Sequence, residues 1–153
     1  MDAPPITIRP AAAGEIPAVE ALLEGGRLPV DGVREMGDLM LVALEGGRIV
    51  GSAGLEIYGT AGLLRSVATA ESARGRGVGQ LLVERALGVA RERGLRRVYL
   101  LTETAADFFP RFGFRSVPRG DIDAAVQRSP EFAHVCPASA VAMVCDLPAA
   151  RSA

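Results

Sequence analysis

The chain has 153 residues, a formal net charge of −1, a hydrophobic fraction of 49% and a charged fraction of 23%, which are typical of one globular domain with a substantial core. The near-zero net charge argues against a global basic surface for nucleic acid, and no apolar run reaches the length of a membrane span. Two cysteines are too few for a disulfide framework or a metal cluster. We therefore expect a cytoplasmic protein with no metal, nucleic-acid or membrane partner. We expect residues 1–148 to form one domain and residues 149–153 to fray.

The first half of the chain predicts one helix and several antiparallel strands. Residues 6–9 alternate in polarity as a strand does, and residues 15–24 carry apolar side chains at helical spacing. Residues 28–33 are either a surface connection or a short second helix that covers a substrate. Strands 39–44 and 49–58 are predicted to form a hairpin, because glycines between them permit positive φ.

The second half predicts strands that alternate with helices. The predicted strands are 63–69, 98–102, 114–117 and 139–147, and the predicted helices are 78–93, 105–112 and 121–128. The crossover through helix 78–93 makes the strands on either side of it parallel, and their divergence would leave a slot for a ligand. The side chains that this helix is predicted to bury are Val78, Leu81, Leu82, Ala86, Val89 and Ala90. These elements together predict an α+β fold.

The glycine-rich stretch 74–79 joins a predicted strand to a predicted helix. Its glycines let the backbone approach a ligand, and the N–H groups and dipole at the helix start suit a phosphate or pyrophosphate. Arg74 and Arg76 add cationic side chains. Gln80 and Leu81 exclude a P-loop, and Gln80 also replaces the third glycine of the dinucleotide fingerprint. A plain glycine-rich turn remains the alternative.

The pattern R-x-x-G-x-G at this place resembles the acetyl-CoA pyrophosphate loop of the GNAT acetyltransferase family. The flanking sequences LLRSVATAESARGRGVGQLL (63–82) and VYLLTETAADFFPRFGFRSV (98–117) resemble its central segments in the same order. This resemblance implies a six- or seven-stranded, mostly antiparallel sheet, with helices around it and a central parallel pair splayed into a V. It also implies direct acetyl transfer from acetyl-CoA, the cosubstrate, to an amine.

A narrower resemblance concerns the acceptor. GLLRSVA, YLLTETAADFF and SPEFAHVCPASAVAM (129–143) are similar to bacterial arsenic-resistance and amino-acid N-acetyltransferases. The implied partner is a small-molecule amine, either an amino acid or an organoarsenical analogue of one, and a homodimer is left open as the assembly.

The family motif assigns acetyl-CoA contacts largely to backbone atoms. The N–H groups of residues 75–79 would hold the pyrophosphate, and Val67 and Thr69 would bind the acetyl carbonyl and the pantetheine arm. An N–H group aimed at a developing oxyanion stabilises it electrostatically, so Val67 also counts as catalytic. The predicted cofactor-binding residues are Val67, Ala68, Thr69, Arg74, Gly75, Arg76, Gly77, Val78, Gly79 and Phe108. Phe109 occupies the position of a proton-donating tyrosine in many members. We therefore expect Phe109 to be a packing residue, and we assign no residue as the acid that protonates the leaving thiolate.

The candidate bases are Glu56, Glu103 and His134, with a solvated or paired carboxylate, or a base acting through water, as the alternatives. Arg65 interrupts an apolar strand, so it must be paired or reach a ligand. We expect either an ion pair with Glu56 or a clamp on a substrate carboxylate. The predicted substrate-binding residues are Arg65, Ser66, Thr102 and His134.

Two other functional classes compete with the acetyltransferase. The phenylalanine at position 109 permits a non-catalytic acyl-CoA-sensing module. A generic nucleotide-binding domain is disfavoured because the P-loop lysine and the third glycine are missing. Cys136 and Cys145 are interpreted as small packing residues rather than a metalloid site.

Overall fold

The computed structural model describes residues 5–130, 132 and 140–148. Its strands are β1 (Ile6–Pro10), β2 (Met40–Glu45), β3 (Arg48–Tyr58), β4 (Ala61–Thr69), β5 (Arg97–Thr102), β6 (Arg115–Ser116) and β7 (Val141–Asp146). Its α-helices are α1 (Ile16–Gly25) and α2 (Val78–Glu92). Short 3-10 helices cover Ala13–Glu15, Val33–Glu35, Gly37–Leu39, Glu71–Ala73, Phe109–Phe112, Arg119–Asp121 and Val126–Arg128.

The described strands form one seven-stranded sheet in the order β1-β2-β3-β4-β5-β7-β6. The β1–β2, β2–β3, β5–β7 and β6–β7 pairs are antiparallel, and the β4–β5 pair is parallel. The parallel register runs from Ala61 opposite Arg97 to Leu63 opposite Tyr99. This arrangement confirms the predicted α+β fold with a mixed, mostly antiparallel sheet. Among the described residues, no helix has the length and apolar composition needed to cross a membrane.

The chain forms two compact units, the first of which runs up to Gly54 and includes Ser66–Ala86. Its core joins α1 to β2: Val19 and Leu23 are fully buried and cluster with Val33, Met40 and other apolar side chains. Burying each such side chain stabilises the fold by about 1.5–3 kcal/mol. In the same unit a Cβ on Gly51 would lie 2.8 Å from Leu82 Cδ1, so a glycine lets α2 approach β3 closely.

The second unit comprises Leu55–Arg65 and the chain from Leu87 onwards. Its core packs Leu63 and Tyr99 against Ile122, Val126 and Val144. The predicted helix 121–128 is wrong, since Ile122 is extended (φ −74°, ψ 139°) and separates two 3-10 helices.

Two other helix predictions require correction. The predicted helix 105–112 reduces to the 3-10 helix Phe109–Phe112, whose first turn contains Pro110, a residue without an N–H to donate. The predicted buried face of α2 is shifted: Leu81 is 43% exposed and Val89 half-buried, whereas Val83 and Leu87 are buried. The buried stripe therefore keeps Val78 but includes Val83 and Leu87 in place of Leu81 and Val89. Residues 28–32 form an irregular connection, and Val33 begins the short 3-10 helix Val33–Glu35.

Glu15 joins β1 to the start of α1. Both of its carboxylate oxygens accept hydrogen bonds from the Arg9 guanidinium, at 2.7 and 2.9 Å, and the Ala12 N–H donates to Oε1 at 2.8 Å. The Arg9 bonds, followed by the Ala12 bond, lower the pKa of Glu15 from 4.5 to about 2. Folding therefore favours the ionised carboxylate, which stabilises the fold above a pH of about 4.5 and ceases to do so as the pH falls through about 2.

We predict that Glu15→Gln lowers the Tm at pH 7, and that the difference from the wild type shrinks as the pH falls from about 4.5 to about 2. Melting curves across this range measure the difference. Glu24→Gln, at an exposed position of α1, is the control. A Tm difference for Glu15→Gln that stays constant down to pH 2 would contradict the assignment.

Candidate active site

The glycine-rich loop lies in the first unit, between the 3-10 helix Glu71–Ala73 and α2. Gly75 and Gly77 have φ angles of 78° and 77°, and open space surrounds the position of a Cβ on each. These glycines are therefore required by backbone conformation rather than by crowding. Residues 74–77 are exposed and α2 begins at Val78, so the N–H groups of its first turn are close to solvent, where an anion can bind.

The two arginines of the loop have different partners. Arg76 forms an ion pair with Glu45, the last residue of β2. This hydrogen bond lowers the pKa of Glu45 and raises that of Arg76. Arg74 Nε donates a long hydrogen bond of 3.5 Å to the Thr69 carbonyl. The Arg76 side chain, expected beside the phosphate, thus links the loop to β2 instead. Its backbone N–H remains one of the groups predicted to hold the pyrophosphate.

The last residues of β4 pass from the core towards the surface. Leu63 to Ser66 are buried, whereas Val67, Ala68 and Thr69 are half-buried. Ser66 has a φ of 60°, in the left-handed region that few residues with a Cβ adopt. The unusual conformation therefore lies immediately before the residues predicted to bind the acetyl group and the pantetheine.

Sequence reasoning missed Ser52 on β3. Its side chain is fully buried, and its hydroxyl donates a hydrogen bond of 2.8 Å to the Ser66 carbonyl oxygen. The only signal in the sequence is a hydroxyl among glycine and alanine in Gly51–Gly54. That signal does not identify the partner, which lies 14 residues further along the chain.

In the second unit, Glu56 lies at the centre of a buried polar cluster. Arg65 Nη1 is 3.1 Å from Glu56 Oε2, and Tyr58 and Ser129 donate to Oε1 at 2.9 and 2.5 Å. The Arg65 side chain is only 1% exposed. Burial raises the pKa of Tyr58, so its hydroxyl keeps the proton that it donates. The expected ion pair between Arg65 and Glu56 is thus present, and it ties the Glu56 carboxylate to three donors.

Two predicted residues, the last of β5 and the one that follows it, are more accessible than the Glu56 cluster. Glu103 is exposed and Thr102 is half-buried, with its hydroxyl accepting the Ala105 N–H at 2.9 Å. Phe109 is buried and its ring lies edge-on to Phe108 and Phe114, with centroids 5.1 and 5.7 Å away. Phe109 is thus a packing residue, as expected.

Two predicted residues, His134 and Cys136, lie outside the described residues. Cys145 is buried and its thiol contacts the Phe112 carbonyl oxygen at 3.6 Å, consistent with packing. Burial raises the pKa of the Cys145 thiol, which keeps it protonated and unreactive. Among the residues that the structure describes, no group of three or more histidine, cysteine or acidic side chains is arranged to hold a metal.

A separate cleft of about 500 Å³ in the second unit is lined by Thr60, Ala61, Arg96, Arg97, Asp123, Asp146 and Leu147. None of these lining residues belongs to the predicted site. Some of its charged side chains already have partners. Arg97 Nε lies 3.3 Å from Asp146 Oδ1, and the Asp123 carboxylate accepts a hydrogen bond from the Tyr99 hydroxyl. Volume alone therefore does not identify the chemistry of this molecule.

Sequence comparison finds two partial relatives. An amino-acid acetyltransferase of Mycobacterium tuberculosis is 38% identical over 82 residues, which are 52% of this chain and 46% of that protein. The uncharacterised N-acetyltransferase CT2212 of Chlorobaculum tepidum is 36% identical over 75 residues, 48% of this chain and 47% of that protein. The chain therefore spans about half the length of the curated relatives that it matches.

Structural comparison covers nearly the whole fold. Rv2747 from Mycobacterium tuberculosis, crystallised in complex with CoA and NLQ, has a TM-score of 0.79 and 28% identity, with 93% of this chain and 99% of that chain covered. N-acetylglutamate synthase from Neisseria gonorrhoeae, complexed with coenzyme A and N-acetyl-glutamate, has a TM-score of 0.80 and 19% identity, with 96% and 36% covered. At that lower identity the likeness shows the fold alone.

A family model matches the region of the chain that carries the glycine-rich loop. The model described as Acetyltransferase (GNAT) family matches residues 18–114, more than half of the chain. This span includes β4, the glycine-rich loop and α2. The chain therefore belongs to the GNAT acetyltransferase family.

Proposed function

We propose that this protein transfers the acetyl group of acetyl-CoA directly to the amine of a small molecule. The observation that carries the proposal is the exposed loop before α2, in which Gly75 and Gly77 both adopt positive φ. Family membership supports it, as does the similarity to a CoA-bound protein over 93% of this chain. Acetyl-CoA is a cosubstrate in this proposal, and the chemistry is supplied by the chain's own groups.

Acetyl-CoA would be held mainly by backbone atoms. The N–H groups of residues 75–79 would donate to the pyrophosphate, with the helix dipole favouring its charge. Thr69 would bind the pantetheine arm through its backbone, and Phe108 would pack against that arm. The half-buried Val67 would direct its N–H at the acetyl carbonyl oxygen, where negative charge grows during the reaction.

The reaction then proceeds in two bond changes. The amine nitrogen attacks the thioester carbonyl carbon, and a C–N bond forms as charge moves onto the carbonyl oxygen. The tetrahedral intermediate formed in this way then collapses, the C–S bond breaks, and the leaving thiolate takes a proton. The attacking amine loses its own proton, so the products are an amide and CoA. Phe109 has no proton to give, so water would protonate the thiolate.

The proton acceptor must be able to reach the amine. Glu56 already accepts from Arg65, Tyr58 and Ser129, so it serves this role poorly. Glu103 is exposed and can take a proton directly or through water. We therefore assign Glu103 or a bound water as the base, and Glu56 as the residue that orients Arg65.

The acceptor that we propose is an amine that also carries a carboxylate. Arg65 carries a guanidinium, a planar group of the kind that binds carboxylates, and one relative is named an amino-acid acetyltransferase. An organoarsenical amino-acid analogue belongs to the same chemical class, and its acetylation would link this protein to arsenic resistance.

Thiol release from acetyl-CoA, followed with a panel of amino acids and an organoarsenical analogue, tests the proposal. Steady CoA release with at least one amine, and an acetylated product by mass spectrometry, is the expected result. Tight acetyl-CoA binding without turnover on any amine would instead support a sensor.

We predict that Gly77→Asp weakens CoA binding at least tenfold more than Gly77→Asn does. Both side chains have the same size and tolerate positive φ similarly, so their difference isolates the charge placed beside the pyrophosphate. Titration calorimetry with CoA measures both affinities. Equal affinities for the two variants would show that the pyrophosphate does not lie at this loop.

We predict that Arg65→Met raises KM for an amino acid about ten- to a hundredfold, because a lost charge-assisted hydrogen bond costs roughly 1.5–3 kcal/mol. The corresponding amino-acid amide should lose little, and CoA affinity should stay within about twofold. Steady-state kinetics on the matched acid and amide measure the difference.

Glu56→Gln separates the clamp from the ion pair, since it breaks the pair and leaves the guanidinium in place. Melting curves report the stability of both variants. If Arg65→Met loses activity equally on the acid and on the amide, the clamp is excluded and Arg65 is only a structural partner of Glu56.

A further inference from the structure

The Ser66–Val67 peptide group has a partner on β3 that takes no part in the bond changes described above. The Ser52 hydroxyl donates to the Ser66 carbonyl oxygen at 2.8 Å. Ser52 is fully buried and Ser66 is 7% exposed, so water does not compete freely for this hydrogen bond. We propose that Ser52 is a positioning residue, which aims and polarises the backbone N–H of Val67. This inference rests on the proposed function.

Ser66 is in a conformation that needs support. Its φ of 60° lies in the left-handed region, although the residue belongs to a strand and carries a Cβ. Such residues persist where surrounding contacts hold them, and they concentrate at functional sites. A left-handed residue redirects the peptide group that follows it, and here that group carries the N–H proposed to contact the acetyl oxygen.

Peptide geometry transmits the hydrogen bond to Val67. The Ser66 carbonyl and the Val67 N–H belong to one planar trans peptide group, so its C=O and N–H point in opposite directions. Fixing the oxygen therefore fixes the direction of the N–H. Donation to the carbonyl also draws electron density from the peptide nitrogen, which makes the N–H a stronger donor.

The surroundings leave little freedom for another arrangement. A Cβ on the adjacent Gly51 would lie 3.1 Å from the Ala68 carbonyl oxygen, so the β3 and β4 backbones are close to each other next to this peptide. Ser52 faces Val42 in the β2–β3 register, and Val42 offers no hydroxyl. Replacing Ser52 by alanine would thus remove a donor without providing a substitute side chain at the paired position.

The test uses acetyl-CoA labelled with ¹³C at the carbonyl and needs no acceptor amine. Infrared difference spectra of the wild type should show the thioester carbonyl band shifted to lower frequency on binding, because an aimed N–H polarises the bond. In Ser52→Ala the shift should be smaller, and Ser52→Thr should restore it by returning a hydroxyl. CoA affinity should stay within about twofold in both variants, since the glycine-rich loop is unchanged.

Once an acceptor is known, Ser52→Ala should lower kcat about tenfold to a hundredfold. Val19→Ala, which truncates a fully buried side chain of α1, controls for lost stability and should keep both the band and kcat. Ser52→Cys places a weaker donor of similar size at this position, so the shift of the carbonyl band should be intermediate. This variant replaces Ser52→Ala in the test if the alanine variant does not fold.

Different results would contradict the role of Ser52 and the proposed acetyl transfer. No band shift in the wild type would contradict the role of Val67 and with it the proposed mechanism. A wild-type shift that persists unchanged in Ser52→Ala, or in a folded Ser52→Cys, would overturn the role of Ser52 alone.

Discussion

The left-handed backbone at Ser66, with a φ of 60°, is the constraint that sets the direction of the peptide groups at the end of β4. It is held by a buried hydroxyl, which donates to the Ser66 carbonyl at 2.8 Å. Because the peptide group is planar, holding its oxygen directs its N–H. A strand whose residues are mostly extended thus presents one peptide group in a different direction, at the point where β4 becomes accessible.

The same logic applies to the glycine-rich loop, where backbone N–H groups again are the proposed ligands. Backbone donors have no rotamers to search, so their directions depend on how firmly the surrounding chain is held. Here the loop is fastened by the ion pair between Arg76 and Glu45, and α2 sits close to β3 because Gly51 has no side chain. The Arg76 and Glu45 side chains therefore stabilise the loop whose backbone N–H groups we propose as ligands.

The sequence predicted well those features that local residue types determine. The start of α2 at Val78 and the antiparallel hairpin both follow from glycine placement and hydrophobic periodicity. The ion pair of Arg65 with Glu56 is one of the two arrangements that the sequence indicates, because a buried charge needs a partner. The contact from Ser52 to Ser66 was not, since it joins different strands. The exposure of Leu81 was also missed, because periodicity defines the width of an apolar stripe better than its centre.

We propose that two sets of backbone N–H groups bind the cofactor, one at its pyrophosphate and the other at its acetyl carbonyl. Amide chemical shifts of the ¹⁵N-labelled protein, recorded with CoA and then with acetyl-CoA, test this division directly. We expect the amide signals of Gly75, Gly77 and Val78 to shift with both ligands, and the Val67 amide signal to shift strongly only with acetyl-CoA. Equal Val67 shifts with both ligands, or loop amides that do not respond to CoA, would contradict it.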